Sequence, residues 1–310
     1  MLIHVCMPPI TPSKQFLEYS PILFLALNSS IIFIDVTLQD RNMRRQIGRL
    51  LCQNRKYSWA QKLAYGIERI YKGYENLDYN FYKNGEAHLL SCISKNMQPK
   101  IVFDVGANNG EWALLAQKYF TEAQVYAFEI VPKTFQELEA SCSNEPKINI
   151  HNVGLSDTEG EISVFCSPGS SGLSTCVMDF SEDFHGQETE EIKAKVIAGD
   201  SFCTQNNIAS IDFLKIDVEG FEHKTLKGFE QLLTKNNIKV IQFEYGFINV
   251  ETHFLLKDFY SYLEPLGYKI GKVYPDHIAF KDYEYTDENF YGPNYLAVHS
   301  SEKELIKALS

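Results

Sequence analysis

Four short stretches place an acid where the chain leaves an apolar run: FDVGANNGE (103–111), YAFEI (126–130), KIDVEG (215–220) and IQFEY (241–245). Carboxylates in such places can take up a proton, hold the hydroxyls of a ligand or bind a hard cation such as Mg2+. Asp217 and Glu219 are two residues apart, so both face one way if the strand continues through them and diverge if it ends at Val218. Glu244, with Tyr245 behind it, should approach the same cleft from the next run. Asp217, Glu219 and Glu244 are therefore the candidate catalytic acids. His223, one helical turn further on, reads as a helix-surface histidine.

The turn Gly106-Ala107-Asn108-Asn109-Gly110 narrows the ligand. A phosphate-binding loop needs Lys and Ser or Thr after its last glycine, whereas Glu111 and Trp112 follow here. A dinucleotide fingerprint needs a middle glycine so that backbone can touch the pyrophosphate, and Glu111 in the first helical turn would repel that group. S-adenosylmethionine carries no phosphate. Its ammonium suits Asp104, its single carboxylate suits the backbone N–H groups from Gly106 to Gly110, and its ribose suits Glu129 at the end of the second strand. The bland alternatives are a turn or capping role for Asp104 and a solvated loop position for Glu129.

The elements that must position these residues alternate along the chain. After Pro99, KIVFDV, QVYAFEI, KINIHNVGL, IDFLKIDVEG and IKVIQFEY read as five buried strands, each except the third followed by one helix, with closing strands at 267–274 and 294–299. A hairpin excursion (157–167), a strand at 192–200 and a loop, PGSSGLSTC, that is a candidate lid interrupt the pattern. Alternation of this kind implies a mostly parallel, doubly wound α/β sheet whose ligands bind beyond the carboxyl ends of the strands. Residues 43–98 read as a helical cap, 99–300 as the main domain and 301–310 as a tail. Tyr and Phe residues around 283–295 suit either an acceptor pocket or packing.

Taken together, FDVGANNGEWALLA, YAFEIVP, NVGLSDTEGE and IDFLKIDVEGFEHKTLKG resemble the FkbM family of S-adenosylmethionine-dependent methyltransferases over roughly residues 100–298. The resemblance implies a class I methyltransferase (Rossmann-like) fold, with strand order 3-2-1-4-5-7-6 and strand 7 antiparallel. It implies methyl transfer to a hydroxyl of a small molecule, sugar or glycan. Position by position, it puts Asp104, Gly106, Asn108, Gly110 and Glu129 on the cofactor, Asn152, Val153 and Gly154 beside the adenine, and Asp217, Glu219 and Gly220 facing the transferable methyl. Either Asp217 or Glu219 is then the base or orients the acceptor. Magnesium between Asp217 and Glu244, as in catechol-type O-methyltransferases, is an alternative with an incomplete ligand set, and no metal is assigned. The chain departs from many relatives in having Ile130 where they have proline and Gly199 where they have leucine. The rival readings are a nucleotide-sugar oxidoreductase using NAD and a non-catalytic S-adenosylmethionine-binding module.

Composition agrees with a folded enzyme that handles small molecules. The 310 residues are 45% hydrophobic and 22% charged, with 40 acids against 29 bases and a formal charge of −11. No basic stripe is visible for a polynucleotide, so a nucleic-acid partner is not expected. Seven dispersed cysteines without a CxxC pair read as reduced thiols in a cytoplasmic protein. The apolar stretch 22–36 is broken by Asn28-Ser29-Ser30 and Asp35, short of the roughly 20 residues of a spanning helix. A membrane partner is therefore not expected, and residues 1–42 read as an irregular extension. Met43, opening the basic segment MRRQIGRLLCQ, is a candidate translation start.

Overall fold

The computed structural model describes residues 22–27, 30–35, 41–166, 174–175 and 190–310. The chain divides into two compact units, Met1–Ile70 and Tyr71–Ser310. In the first, the apolar stretch expected to be irregular forms two antiparallel strands, β1 (Ile22–Leu27) and β2 (Ser30–Asp35), as its aromatic and β-branched content favours. Helix α1 (Arg41–Gln53) follows, and α2 (Ser58–Tyr74) runs across the division.

The division falls inside the region read as one helical cap, so α3 (Glu86–Asn96) belongs to the second unit. There β3 (Ile101–Val105), α4 (Glu111–Tyr119), β4 (Gln124–Phe128), α5 (Pro132–Cys142) and β5 (Ile148–His151) alternate. Next come β6 (Gly154–Ser156), β7 (Gly160–Cys166), β8 (Ser174–Thr175), β9 (Glu190–Ala198) and helix α6 (Gly199–Gln205). Then follow β10 (Ile211–Ile216), α7 (Glu222–Gly228), α8 (Glu230–Thr234), β11 (Ile238–Glu244), α9 (Ile248–Thr252) and α10 (Leu256–Leu263). The chain closes with β12 (Tyr268–Val273), β13 (Ile278–Phe280), β14 (Asn294–His299) and α11 (Lys303–Leu309), a helix where a tail was expected.

The main sheet runs β13-β12-β14-β11-β10-β3-β4-β5. Counted along the chain, and with the short β13 set aside as a hairpin on the sixth strand, that is 3-2-1-4-5-7-6. Strand β14 is antiparallel to both neighbours while β3, β4, β5, β10 and β11 are parallel, so the expected class I order is the observed one. Alternation divides the strands between two faces. Phe103, Leu214, Ile216 and Phe243 pack with α6, α7, α8 and α10, while Val102, Phe213, Val240 and Leu296 pack with α3, α4, α5 and α11.

One predicted strand is split. The sequence 147–155 reads as one strand, but only Ile148–His151 stays in the main sheet. The Asn152 amide donates to the carbonyls of Glu129 and Ile130 (2.8 and 3.3 Å), turning the chain so that β6 joins a second sheet, β6-β9-β7-β8. The hairpin excursion thus becomes a small second sheet. Of the candidate lid, only Ser174 and Thr175 lie among the described residues.

Candidate active site

Strand β3 ends at Val105, directly beside the end of β10, and the chain must turn at once. Gly106 makes the turn with φ 86°, and a Cβ there would lie 1.8 Å from the Asp217 carbonyl oxygen. No side chain fits that approach. Gly110, at φ 90°, starts α4, and the space of its missing Cβ is taken by Leu138 and Cys142 of α5. Gly106 and Ala107 donate their N–H groups to the Phe128 carbonyl (3.0 and 2.9 Å), fastening the turn to the end of β4.

Glu129, one residue beyond β4, reinforces that fastening. Its carboxylate accepts from the N–H groups of Asn108 (3.0 Å) and Val131 (2.8 Å). Burial pushes its carboxyl up to about 7 in spite of those donors. A carboxylate has about four acceptor sites, so capacity remains for two ligand hydroxyls.

The acids of the fourth and fifth strands come together. Strand β10 ends at Ile216, the Asp217 N–H donates to Val105 (2.9 Å), and Glu219 and Gly220 have left-handed φ of 50° and 99°. The strand period is therefore broken between Asp217 and Glu219, yet a tight turn returns Glu219 to the same place. Glu222 holds that turn by accepting from the N–H groups of Val218 and Gly220, each at 3.1 Å. One oxygen from each of Asp217, Glu219 and Glu244 lies within 4.8 Å of the others.

Beneath them lies a cation. Lys215 is in register with Asp104 on β3 and Gln242 on β11, a polar row on the sheet face that also holds Trp112. Its ammonium is 3.0 Å from Asp217 and 3.5 Å from Asp104. Gln242 in turn donates to the buried Glu86 of α3 at 2.7 Å. Burial alone would lower the Lys215 pKa, but the charges of Asp217, Asp104 and Glu86 outweigh it and hold the amine protonated. Burial raises the Asp104 carboxyl to about 6 even with Lys215 beside it.

That cation sorts the protons of the trio. Burial works against ionisation of Asp217, but Lys215 more than compensates, and the carboxyl lies below its ordinary value. Glu244 lies well above its own, through burial and then the charges of Asp217, Glu219 and Glu222, and it shares a hydrogen bond with Asp217. Glu219 is pushed up to about 8 by burial, Asp217 and Glu222. The trio thus reads as one anion, one neutral acid and one group poised to titrate. A divalent cation would find three oxygen donors here, but it would have to displace the Glu244–Asp217 hydrogen bond beside a fixed ammonium.

A cavity of about 310 Å³ opens on these groups. Of the residues singled out from sequence, Gly106, Asn108, Glu129, Gly154, Asp217, Glu219 and Glu244 line it. Asp104 is fully buried behind Lys215, Gly110 packs on α5, Asn152 holds the chain reversal, and Val153 packs against the core. Ile162, Val164 and Val196 of the second sheet close the end near Gly154 with apolar surface. Lys215 and Glu222 were missed by sequence reasoning; alternation backwards from Asp217 points to the first, but nothing local marks the second. Phe81 and Tyr79 of the segment between α2 and α3 were also missed. The aromatics around 283–295 pack instead: Phe290 stacks on Tyr245 and Tyr295 is core. His223 stacks on Phe254, away from the cavity wall.

Comparison with known proteins follows the same residues. The model of the methyltransferase FkbM domain matches residues 104–270. The chain is 30% identical over 148 residues to the hexuronic acid methyltransferase AglP of Haloferax volcanii, an alignment covering 47% of this chain and 56% of that one. It is 23% identical over 199 residues to the 2-O-methyltransferase NoeI of Sinorhizobium fredii, covering 61% of this chain and 79% of that one. The chain therefore spans little more than half the length of the first of these relatives. Among solved structures, an FkbM methyltransferase from Methylobacillus flagellatus is similar at 16% identity and a TM-score of 0.41, covering 64% of this chain and 43% of that one.

Proposed function

The chain belongs to the FkbM methyltransferase family, and on that premise we propose that it transfers a methyl group from S-adenosylmethionine to a hydroxyl of a sugar. The observation that carries this reading is the convergence of the glycine turn, Glu129 and the Asp217–Glu219–Glu244 trio on one cavity.

Unpartnered polar atoms fit the cofactor to that cavity. Among the described residues, Asn108 Oδ1 and Trp112 Nε1 are buried on its wall without a hydrogen-bond partner. Buried polar groups are rarely left so unless a ligand or water completes them. Glu129 would hold the ribose hydroxyls, the N–H groups of the 106–110 turn the methionine carboxylate, and the apolar wall of Ile162, Val164 and Val196 the adenine. S-adenosylmethionine, when bound, supplies a methyl group on a sulfonium.

The remaining chemistry belongs to the protein. An acceptor hydroxyl must lose its proton as its oxygen gains the methyl, and the most effective base has a pKa near the working pH. Glu219 meets that requirement and takes the proton. Asp217, kept ionised by Lys215, accepts a hydrogen bond from the same or a neighbouring hydroxyl and orients it. Neutral Glu244 donates to Asp217 and keeps it in place. A carboxylate acceptor would be repelled by this anionic pocket, so a neutral sugar hydroxyl suits it better and the product is a methyl ether.

The test is incubation with labelled S-adenosylmethionine and a panel of neutral and uronic-acid glycans, followed by mild alkali. Label retained on a neutral sugar through alkali supports ether formation. Label released by alkali, or found only on uronic acids, would overturn the choice of acceptor.

A further inference from the structure

Outside the cavity, charge and apolar surface are segregated along α1 and α2. Residues 41–70 carry eight Lys and Arg against one acid, Glu68, a net +7 in a chain whose total is −11, so the rest carries −18. These cations accompany apolar side chains that stay in water. In α2, Trp59, Leu63, Ile67 and Ile70 fall at helical spacing on one side, with Trp59 40%, Ile67 49% and Ile70 63% exposed. Lys62 and Arg69 lie together along one flank of that stripe, about 100° around the helix from its centre. In α1, Ile47, Leu50 and Leu51 form a like stripe, Leu50 being 53% exposed, with Arg45 and Arg49 opposite and Arg44 at its border.

We propose that α1 and the first part of α2 form a docking surface for an anionic lipid bilayer, lying in its interface with their apolar stripes among the acyl chains and their cations at the headgroups. No helix among the described residues is long and apolar enough to cross a membrane, and a helix lying on one needs no such length. Charge separates this occupant from the others. A second copy docking by the same face would bring another +7 against the first. A nucleic acid would pair the arginines yet leave Trp59, Ile67 and Ile70 in water, whereas an anionic bilayer satisfies both faces of the same helix.

The full chain is sedimented with vesicles of phosphatidylcholine alone and with vesicles containing phosphatidylglycerol. The expected result is pelleting with the anionic vesicles only, lost as salt rises from about 0.1 to about 1 M and the screening length falls from about 10 to about 3 Å. Trp59, one of two tryptophans, should shift to the blue on binding, because Trp112 is already buried. Both Ile67→Ser/Ile70→Ser and Arg45→Glu/Arg49→Glu should weaken binding by about tenfold or more while S-adenosylmethionine binding is unchanged. These positions are exposed, so the substitutions leave folding intact, as circular dichroism will show. Equal binding to both vesicle types, binding to neither, self-association that Ile67→Ser/Ile70→Ser abolishes, or RNA binding tighter than vesicle binding would each overturn the proposal.

Discussion

Turnover should depend most steeply on Glu219. Glu219→Gln removes the base and keeps the shape, so kcat is expected to fall by about 10²–10⁴ while calorimetry shows cofactor affinity unchanged. The base works ionised and its carboxyl lies at about 8, so the rate at saturating substrates should rise as pH passes through that value and level off above it. A profile flat across that range, or one that the glutamine variant retains, removes Glu219 from the role. A chelator should leave the rate unchanged, because Lys215 already supplies the positive charge beside Asp217; loss of activity restored by magnesium would show the trio to be a metal site. At this scale the acids were legible from sequence because each ends an apolar run, a feature that one strand displays by itself. Lys215 and Glu222 were not, because the first matters through neighbours on other strands and the second through two backbone N–H groups that point inward only once the turn is made.

At the scale of elements, the site is a meeting of strand ends, and its stability rests on what lies between them. Lys215 joins β10 to β3 through Asp104, and removing one partner of a buried pair leaves an uncompensated charge. Lys215→Met should therefore lower unfolding stability by about 3–5 kcal/mol, read from a denaturant midpoint, and Asp104→Asn in the same chain should restore part of the loss. An unchanged midpoint in the single variant would mean that the row carries no buried charge. Gly106→Ala should cost at least about 1–3 kcal/mol, since its φ of 86° and the 1.8 Å approach to Asp217 leave no room for a methyl. Wild-type stability in that variant would show that the turn yields. The departure at Gly199 has a packing reason: a Cβ there would lie 2.5 Å from the Phe229 ring. Its neighbour Asp200 still caps α8, accepting from the N–H groups of Gln231 (2.8 Å) and Leu232 (3.1 Å).

For the whole molecule, ligand choice appears as stability. A ligand at about a hundred times its Kd stabilises the native state by about 2.7 kcal/mol, which raises the midpoint of a unit the size of Tyr71–Ser310 by roughly 5–10 °C. S-adenosylmethionine should produce that shift and NAD none; the reverse result would favour the oxidoreductase reading. Apolar periodicity was enough to read a mostly parallel, doubly wound sheet, because buried parallel strands announce themselves locally; the order 3-2-1-4-5-7-6 follows from the family resemblance, and the short hairpin strand β13 was legible in neither. The chain's own letters also argue against a phosphate at the glycine turn, since Glu111 places an acid in the first turn of the helix that follows it. The second sheet, the division at Ile70 and the helix at Lys303–Leu309 needed the folded chain, because each depends on contacts between distant segments. The same holds for the protons of the trio. Sequence put three acids at two strand ends, and only the tertiary structure, by burying Lys215 beneath them, decided which carries the charge and which is left to titrate near 8.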